Sequence, residues 1–343
     1  MARKWRRPCT LQTKRGIFII TYKVKSDILC NFAPSKFSYN ICMNKIKSIS
    51  KFVTSFNRVN TYDDTIEETK RLISYTEFDA NGNICCDKTY DALGECENII
   101  HRVYNSDSRL IEESFYDGID DAPYESRKYK LNDNGLPCEC KVTYSEEEVM
   151  ETYIYSDEGN LLEKRVSYSD GYNYCENKYV WNQGLLLEEI EYDDEDSINV
   201  SKKYTYDQQQ RLIAYEVNEF SQDNKVSETY AYGNYGIEKQ ITYNLKGEVM
   251  STRSFVYNEN GLLLERVIET QSQFMKYVYT YNDNKLPITE SMLNREDAVL
   301  SRREFTYNEN MEEVGVNVYS LNIVDNNDEL LLVETYSTEY EYH

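Results

Sequence analysis

From residue 78 onward the chain alternates apolar and polar positions in short runs. Each run ends on an aromatic or apolar residue followed by a small polar one, as at Phe78-Asp79, Tyr104-Asn105, Tyr155-Ser156, Tyr206-Asp207 and Tyr257-Asn258. Single spacings between such anchors wander between 11 and 15 residues. Every second anchor (78, 104, 131, 155, 181, 206, 232, 257, 281, 307) recurs in steps of 24 to 27. The double step is the steadier one, so the predicted unit is a pair of strands that must stay in register. Turn strings follow the anchors: DANGN at 79–83, NDNG at 132–135, SDEGN at 156–160 and NENG at 258–261. Asn-Gly pairs tolerate the positive φ of a tight hairpin. The Tyr-x-Tyr pairs 153/155, 204/206, 230/232 and 279/281 put two rings on one strand face. Helices do not fit, because turns leave only about eight residues per element. The expected class is all-β: antiparallel hairpin repeats of about 13 residues per strand and about 26 per hairpin, in a continuous twisted or spiral sheet.

The first sixty residues follow neither this rhythm nor its composition. They hold 13 Lys/Arg against one acid, Asp27, while the remainder holds 25 basic and 59 acidic residues. Residues 1–60 therefore read as a basic N-terminal extension, with residues 61–343 as the repeat domain. A basic arm docking on an acidic surface is one expectation for it, and translation starting at Met43 is the other. Within it, residues 43–60 place Ile46, Ile49, Phe52, Val53 and Phe56 at helical spacing, which predicts a short capping helix.

The acidic body disfavours nucleic acid and anionic membranes as partners, and favours a protein partner with basic character. No segment approaches the ~20 apolar residues of a membrane span, and "GIFIITYKV" (16–24) is no convincing signal peptide, so the expected location is cytoplasmic, with non-classical export as the alternative. Nine irregularly spaced cysteines, none beyond Cys175, do not make a disulfide framework, and reduced thiols are expected.

The segments "YTYDQQQRLIAYE" (204–216), "VYNSDSRLIEESFYD" (103–117), "YIYSDEGNLLEKRVSY" (153–168) and "FVYNENGLLLERV" (255–267) resemble the YD repeat, also called the RHS repeat. Its usual form is Tyr-x-Tyr-Asp-x-x-Gly-Arg-Leu followed by an alternating run. The resemblance runs from roughly residue 61 to the end, and it implies sheets spiralled into a hollow shell, as in bacterial RHS toxins and animal teneurins. The Gly-Arg-Leu step survives in part: Arg109-Leu110 and Arg211-Leu212 keep its end, while Gly82, Gly94, Gly159 and Gly261 keep the glycine. Neither a toxin domain nor an autoproteolysis motif follows the repeats, so toxin release is not implied. So short an array is too small to enclose a cargo, and its sheet either stays an open spiral or closes into a shell.

Catalytic chemistry finds little support. Two histidines, His101 and His343, leave little room for imidazole networks or zinc, and the C-x-C pair Cys138/Cys140 lacks a second pair. Glu112-Glu113, Glu188-Glu189 and Asp193-Asp194 are carboxylate pairs, but adjacent strand residues face opposite ways and do not share a site. The acidic turns NDNG and DDEDS (193–197) read as hairpin chemistry rather than Ca²⁺ loops. No catalytic, cofactor or metal residues are expected. The leading expectation is a non-enzymatic scaffold binding a protein partner through an acidic, tyrosine-rich sheet face or a free edge strand. Carbohydrate binding at a cell surface is the alternative, and a part of a polymorphic toxin system without its effector the third.

Overall fold

Alternating runs bounded by turn residues do form strands, and the computed structural model describes residues 46–60, 63–118, 120–144, 147–322 and 329–343. The expectations placed on residues 1–45, the basic arm and the start at Met43, lie outside the described residues. The strands are β1 (Ile46–Asn60), β2 (Asp63–Phe78), β3 (Ile84–Tyr90), β4 (Cys96–Tyr104), β5 (Leu110–Tyr116), β6 (Glu125–Leu131) and β7 (Pro137–Tyr144). Next come β8 (Glu147–Tyr155), β9 (Leu161–Tyr168), β10 (Asn173–Asn182), β11 (Leu185–Tyr192), β12 (Ile198–Tyr206), β13 (Leu212–Glu219), β14 (Asn224–Tyr232) and β15 (Ile237–Tyr243). The series ends with β16 (Val249–Tyr257), β17 (Leu263–Thr270), β18 (Phe274–Tyr281), β19 (Pro287–Leu293), β20 (Val299–Tyr307), β21 (Glu313–Leu321) and β22 (Leu330–Tyr342).

Each strand pairs antiparallel with the next, and β1 pairs with β22 from Ile46↔Tyr342 to Ser55↔Glu334. The sheet therefore closes on itself as a 22-stranded barrel. This corrects the open spiral sheet, and with it the free edge strand, because closure leaves no unpaired edge. It also corrects the capping helix: residues 46–60 are β1, and the strand ring begins at Ile46, not at residue 61. Both faces of β1 carry apolar groups. Val53 packs at 2% exposure between Arg71 and Tyr336, while Phe52 lies on the other face under the Lys70 ammonium at 4.4 Å. Apolar groups on both faces erase the period of two and leave a spacing that imitates a helix.

Curvature comes from the turns. All ten even strands from β2 to β20 show a register shift into the following strand just before the anchor residue, as between Thr205 and Tyr206 or Val256 and Tyr257. Bulges of this kind bend a sheet and raise its twist. They stand at every one of these turns along one rim, the anchor rim, and at some turns of the opposite rim, as at Thr89/Tyr90 and Thr242/Tyr243. The turns themselves are Asx-capped. Asp207 Oδ1 accepts the backbone N–H of Gln209 and Arg211, both at 2.9 Å, and Asp79, Asn105, Asn132, Asn258 and Asn308 do the same in their own turns.

The fourth residue of each of these six Asx turns takes positive φ. Gly261 does so at 76°, but Gln210 does so at 61°, in the place where the usual repeat has glycine. A Cβ in the left-handed region costs roughly 1 kcal/mol. Gln210 is exposed, so Gln210→Gly is expected to stabilise the barrel by about 1 kcal/mol in urea unfolding; a lower midpoint would contradict this account of the turn.

The anchors also lock the hairpins. Tyr104, Tyr155, Tyr206, Tyr232, Tyr257, Tyr281 and Tyr307 each donate a hydroxyl to a backbone carbonyl at the start of the preceding strand, at 2.7 to 3.0 Å. Trp181 does the same through Nε1 to Leu161 O at 2.7 Å. Each such bond is worth about 1 kcal/mol net. Phe78 and Leu131 hold equivalent positions without a donor.

Candidate functional site

Pairing sorts the side chains onto two faces. Val53, Val142, Val166, Val316, Tyr230 and Glu151, all nearly inaccessible, share one face, the side that closure makes concave. Few other described residues are buried, so the barrel is not filled as a core. Hydrogen bonds and ion pairs among the described residues stay within a strand or reach one or two strands away, and none spans the barrel. Twenty-two strands at about 4.8 Å make a perimeter of roughly 105 Å, or a lumen roughly 30 Å across if circular. Strand tilt widens it further.

The lumenal wall is a belt of charge and phenol. Arg102 lies 2.5 Å from Asp87 and 3.1 Å from Glu113, and Lys164 lies 2.8 Å from Glu151 and 2.7 Å from Glu176. Lys202 meets Glu189 at 2.9 Å, and Arg127 meets Glu125 at 2.5 Å. Tyrosines donate into this belt: Tyr129 to Glu113 at 2.8 Å, Tyr153 to Glu151 at 2.5 Å, Tyr230 to Glu228 at 2.5 Å and Tyr336 to Glu334 at 2.7 Å. Burial and then the neighbouring carboxylates push the Tyr129, Tyr153 and Tyr230 phenols well above their ordinary value, so they remain donors.

The outer face carries its own ion pairs, Lys130–Glu139 at 2.8 Å, Lys141–Glu148 at 2.7 Å and Lys225–Glu216 at 3.0 Å. The same face also exposes apolar side chains, among them Val103, Ile154, Val180 and Val256. No helix among the described residues is long and apolar enough to cross a membrane.

The carboxylate pairs separate as strand geometry requires. Glu113 faces Arg102 in the lumen, while Glu112 faces Lys128 at 3.5 Å outside. Glu189 meets Lys202 inside and Glu188 meets Lys203 at 3.7 Å outside. Asp193 caps the turn that was weighed as a Ca²⁺ loop, accepting the N–H of Glu195 and Ser197. Among the described residues no His/Cys/Asp/Glu group could hold a metal, and the six described cysteines are free. Cys138 and Cys140 lie on one face, as their spacing implied; Cys140 is fully buried, and burial pushes its thiol up to about 12. His101 packs edge-on against Tyr116 at 5.6 Å.

Electrostatic asymmetry concentrates on the rim opposite the anchors. Its successive turns carry Asp117, Asp120 and Asp121 after β5, Glu147 and Glu148 at the start of β8, Asp170 after β9, Asp193 to Asp196 after β11 and Asp223 after β13. The described turn residues along this arc include no Lys or Arg. Aromatic groups stand between the acids: Tyr124 is 47% exposed, Tyr172 45% and Phe220 51%. Tyr172 stacks on Tyr174 at 6.1 Å and its hydroxyl hydrogen-bonds the Asp194 carbonyl, tying two acidic turns together. Sequence reasoning saw acidic turns but not this arc, because only pairing shows that alternate turns share a rim.

Three turn carboxylates on the anchor rim, Asp79, Glu158 and Asp207, are held below the ordinary carboxylate range, Glu158 by the Ser156 side chain. The Asn83 side-chain amide and then its backbone N–H hold Asp79 below the ordinary carboxylate range. For Asp207, burial opposes ionisation, but hydrogen bonds from the Arg211 backbone and side chain outweigh it. A depressed folded value adds stability above the unfolded carboxylate pKa, near 3.9, and loses it as pH falls through the folded value. Asp207→Asn keeps the acceptor oxygen but not the charge. Its Tm is expected to lie below that of the parent near pH 7 and to converge with it toward pH 2; a pH-independent gap would contradict the assignment.

No family model matches the chain, and no curated protein matches it. Solved structures that resemble it include TcdB2-TccC3 without its hypervariable C-terminal region, at 11% identity and a TM-score of 0.39, over 81% of this chain and 16% of that one. A porin-like protein from Bacteroides uniformis is similar at 9% identity and a TM-score of 0.34, over 86% of this chain and 98% of that one. The chain thus spans about a sixth of the length of the TcdB2-TccC3 chain it resembles.

Proposed function

We propose that this chain is a YD-repeat barrel serving as a non-enzymatic scaffold, and that it binds the basic segment of a protein partner along its acidic, tyrosine-bearing rim. The observation that carries the reading is the arc of turns from β5 to β13, where exposed aromatics alternate with carboxylates and the described turn residues include no Lys or Arg. Long-range attraction from such an arc raises encounter rates for a Lys/Arg-rich segment, and the rings offer apolar contact at little entropic cost.

Affinity capture with the full chain as bait, followed by titration of the captured protein, tests this. The partner is expected to carry a basic segment, to bind at least tenfold more weakly at 300 mM than at 50 mM salt, and to lose a further tenfold with Asp120, Asp121, Asp194 and Glu195 all changed to serine. Salt-insensitive binding, or capture of glycans alone, would overturn it in favour of a carbohydrate platform.

A further inference from the structure

The lumenal cations fall into two groups. Arg102, Arg127, Lys164, Lys202 and Arg303 each face a carboxylate, Arg71 donates to the Asp91 carbonyl, and Lys51 lies singly and exposed on the Val53 face of β1. Arg253 on β16 and Arg266 on β17 form no ion pair among the described residues. Arg253 reaches only the Gln240 side-chain oxygen, at 3.3 Å. Arg266 stacks on the Tyr277 ring at 4.3 Å, and its Nε is buried without a hydrogen-bond partner. In a body with 59 acids to 25 bases, two unneutralised guanidiniums side by side are unexpected.

Register makes them neighbours. Arg253 stands opposite Ile268 and Phe255 opposite Arg266, so the two arginines are diagonal on the lumenal face, with backbones about 7–8 Å apart. Two nearby lumenal carboxylates are committed elsewhere: Glu228 accepts from Tyr230 and Thr242, and Glu290 faces Arg303 at 3.7 Å; Glu238, beside Phe255 and Tyr257, pairs with neither arginine. Phe255, Tyr277 and Tyr279 flank the pair on the same face, and Gln240 and Thr242 complete the wall on β15.

We propose that Arg253 and Arg266 form a lumenal binding site for an organic anion, a carboxylate or phosphate carried on an aromatic or apolar body. Guanidinium forks match both oxyanions, and the Tyr277 stack fixes the plane of one fork before any ligand arrives. The rings beside the pair supply contact for the body of the ligand. The anion replaces the carboxylate that every other lumenal ion pair obtains from the chain itself.

Isothermal titration of the full protein with benzoate, phenyl phosphate and inorganic phosphate tests the site. Benzoate or phenyl phosphate is expected to bind saturably and at least tenfold more tightly than inorganic phosphate. Arg253→Gln and Arg266→Gln should each weaken that binding at least tenfold, while Lys202→Gln, which removes a paired lumenal cation, leaves it unchanged. Thermal unfolding of each variant separates lost binding from lost fold, and Arg266→Lys, which keeps the charge without the fork, should fold normally and bind intermediately. Absence of saturable binding by either aromatic anion, equal binding of inorganic phosphate, or retention of affinity in both Arg→Gln variants would overturn the proposal.

Discussion

Tyr336→Pro is expected to open the barrel, with a loss of stability upwards of roughly 4 kcal/mol. Tyr336 sits mid-strand in β22, opposite Val53 on β1 and Val316 on β21. Proline there removes a ladder donor in a strand paired on both sides, where it is not tolerated. It also removes the 2.7 Å bond from the Tyr336 hydroxyl to Glu334 and uncovers two valines that are now 2% and 4% exposed. No other ladder among the described residues can take over, because β1–β22 is the strand pairing that turns a row of hairpins into a ring. Opening it leaves β1 and an adjoining strand as free edges, which template edge-to-edge association. Size-exclusion chromatography with light scattering should show larger, heterogeneous species; an unchanged elution profile and unfolding midpoint would refute closure through β22.

The second large effect is Glu151→Ala, expected to cost about 3–5 kcal/mol. Glu151 is 5% exposed and serves three groups at once: Lys164 at 2.8 Å, the Tyr153 hydroxyl at 2.5 Å and Arg127 at 3.9 Å. Truncation strands a buried phenol donor and takes from Lys164 its most buried counter-charge, while Lys164 keeps Glu176 and Arg127 keeps Glu125. Removing both partners is expected to hurt less than removing one, since the desolvation penalty of the surviving cation disappears. Urea unfolding of Glu151→Ala, Lys164→Met and the double variant forms the test. Additive losses would show that the pair does not act as a unit.

Local chemistry was legible and global closure was not. Hairpin length, the Tyr-x-Tyr face and the Asx turns follow from residues within one unit, and the structure places Tyr204 and Tyr206 on one face with Asp207 capping the next turn. The ring joins Ile46 to Tyr342, and nothing local encodes a pairing between strands so distant in sequence. The misread helix over 43–60 has the same origin: β1 is a strand because β2 and β22 both need a partner, which outweighs the spacing of its apolar residues. The unpaired state of Arg253 and Arg266 was equally hidden, since the sequence is rich in acids and only register shows that none is opposite them. The Gln210 turn was half legible: its place in the repeat could be read, its positive φ could not.

Because β1 starts beside the end of β22, the ring of strands has no intrinsic seam. The chain enters and leaves the sheet on the same rim as the NENG-type turns, so a turn of that kind could join Tyr342 to Ile46. The break could then be moved to any other hairpin. The order of strands around the barrel is thus a cyclic permutation problem with many equivalent solutions.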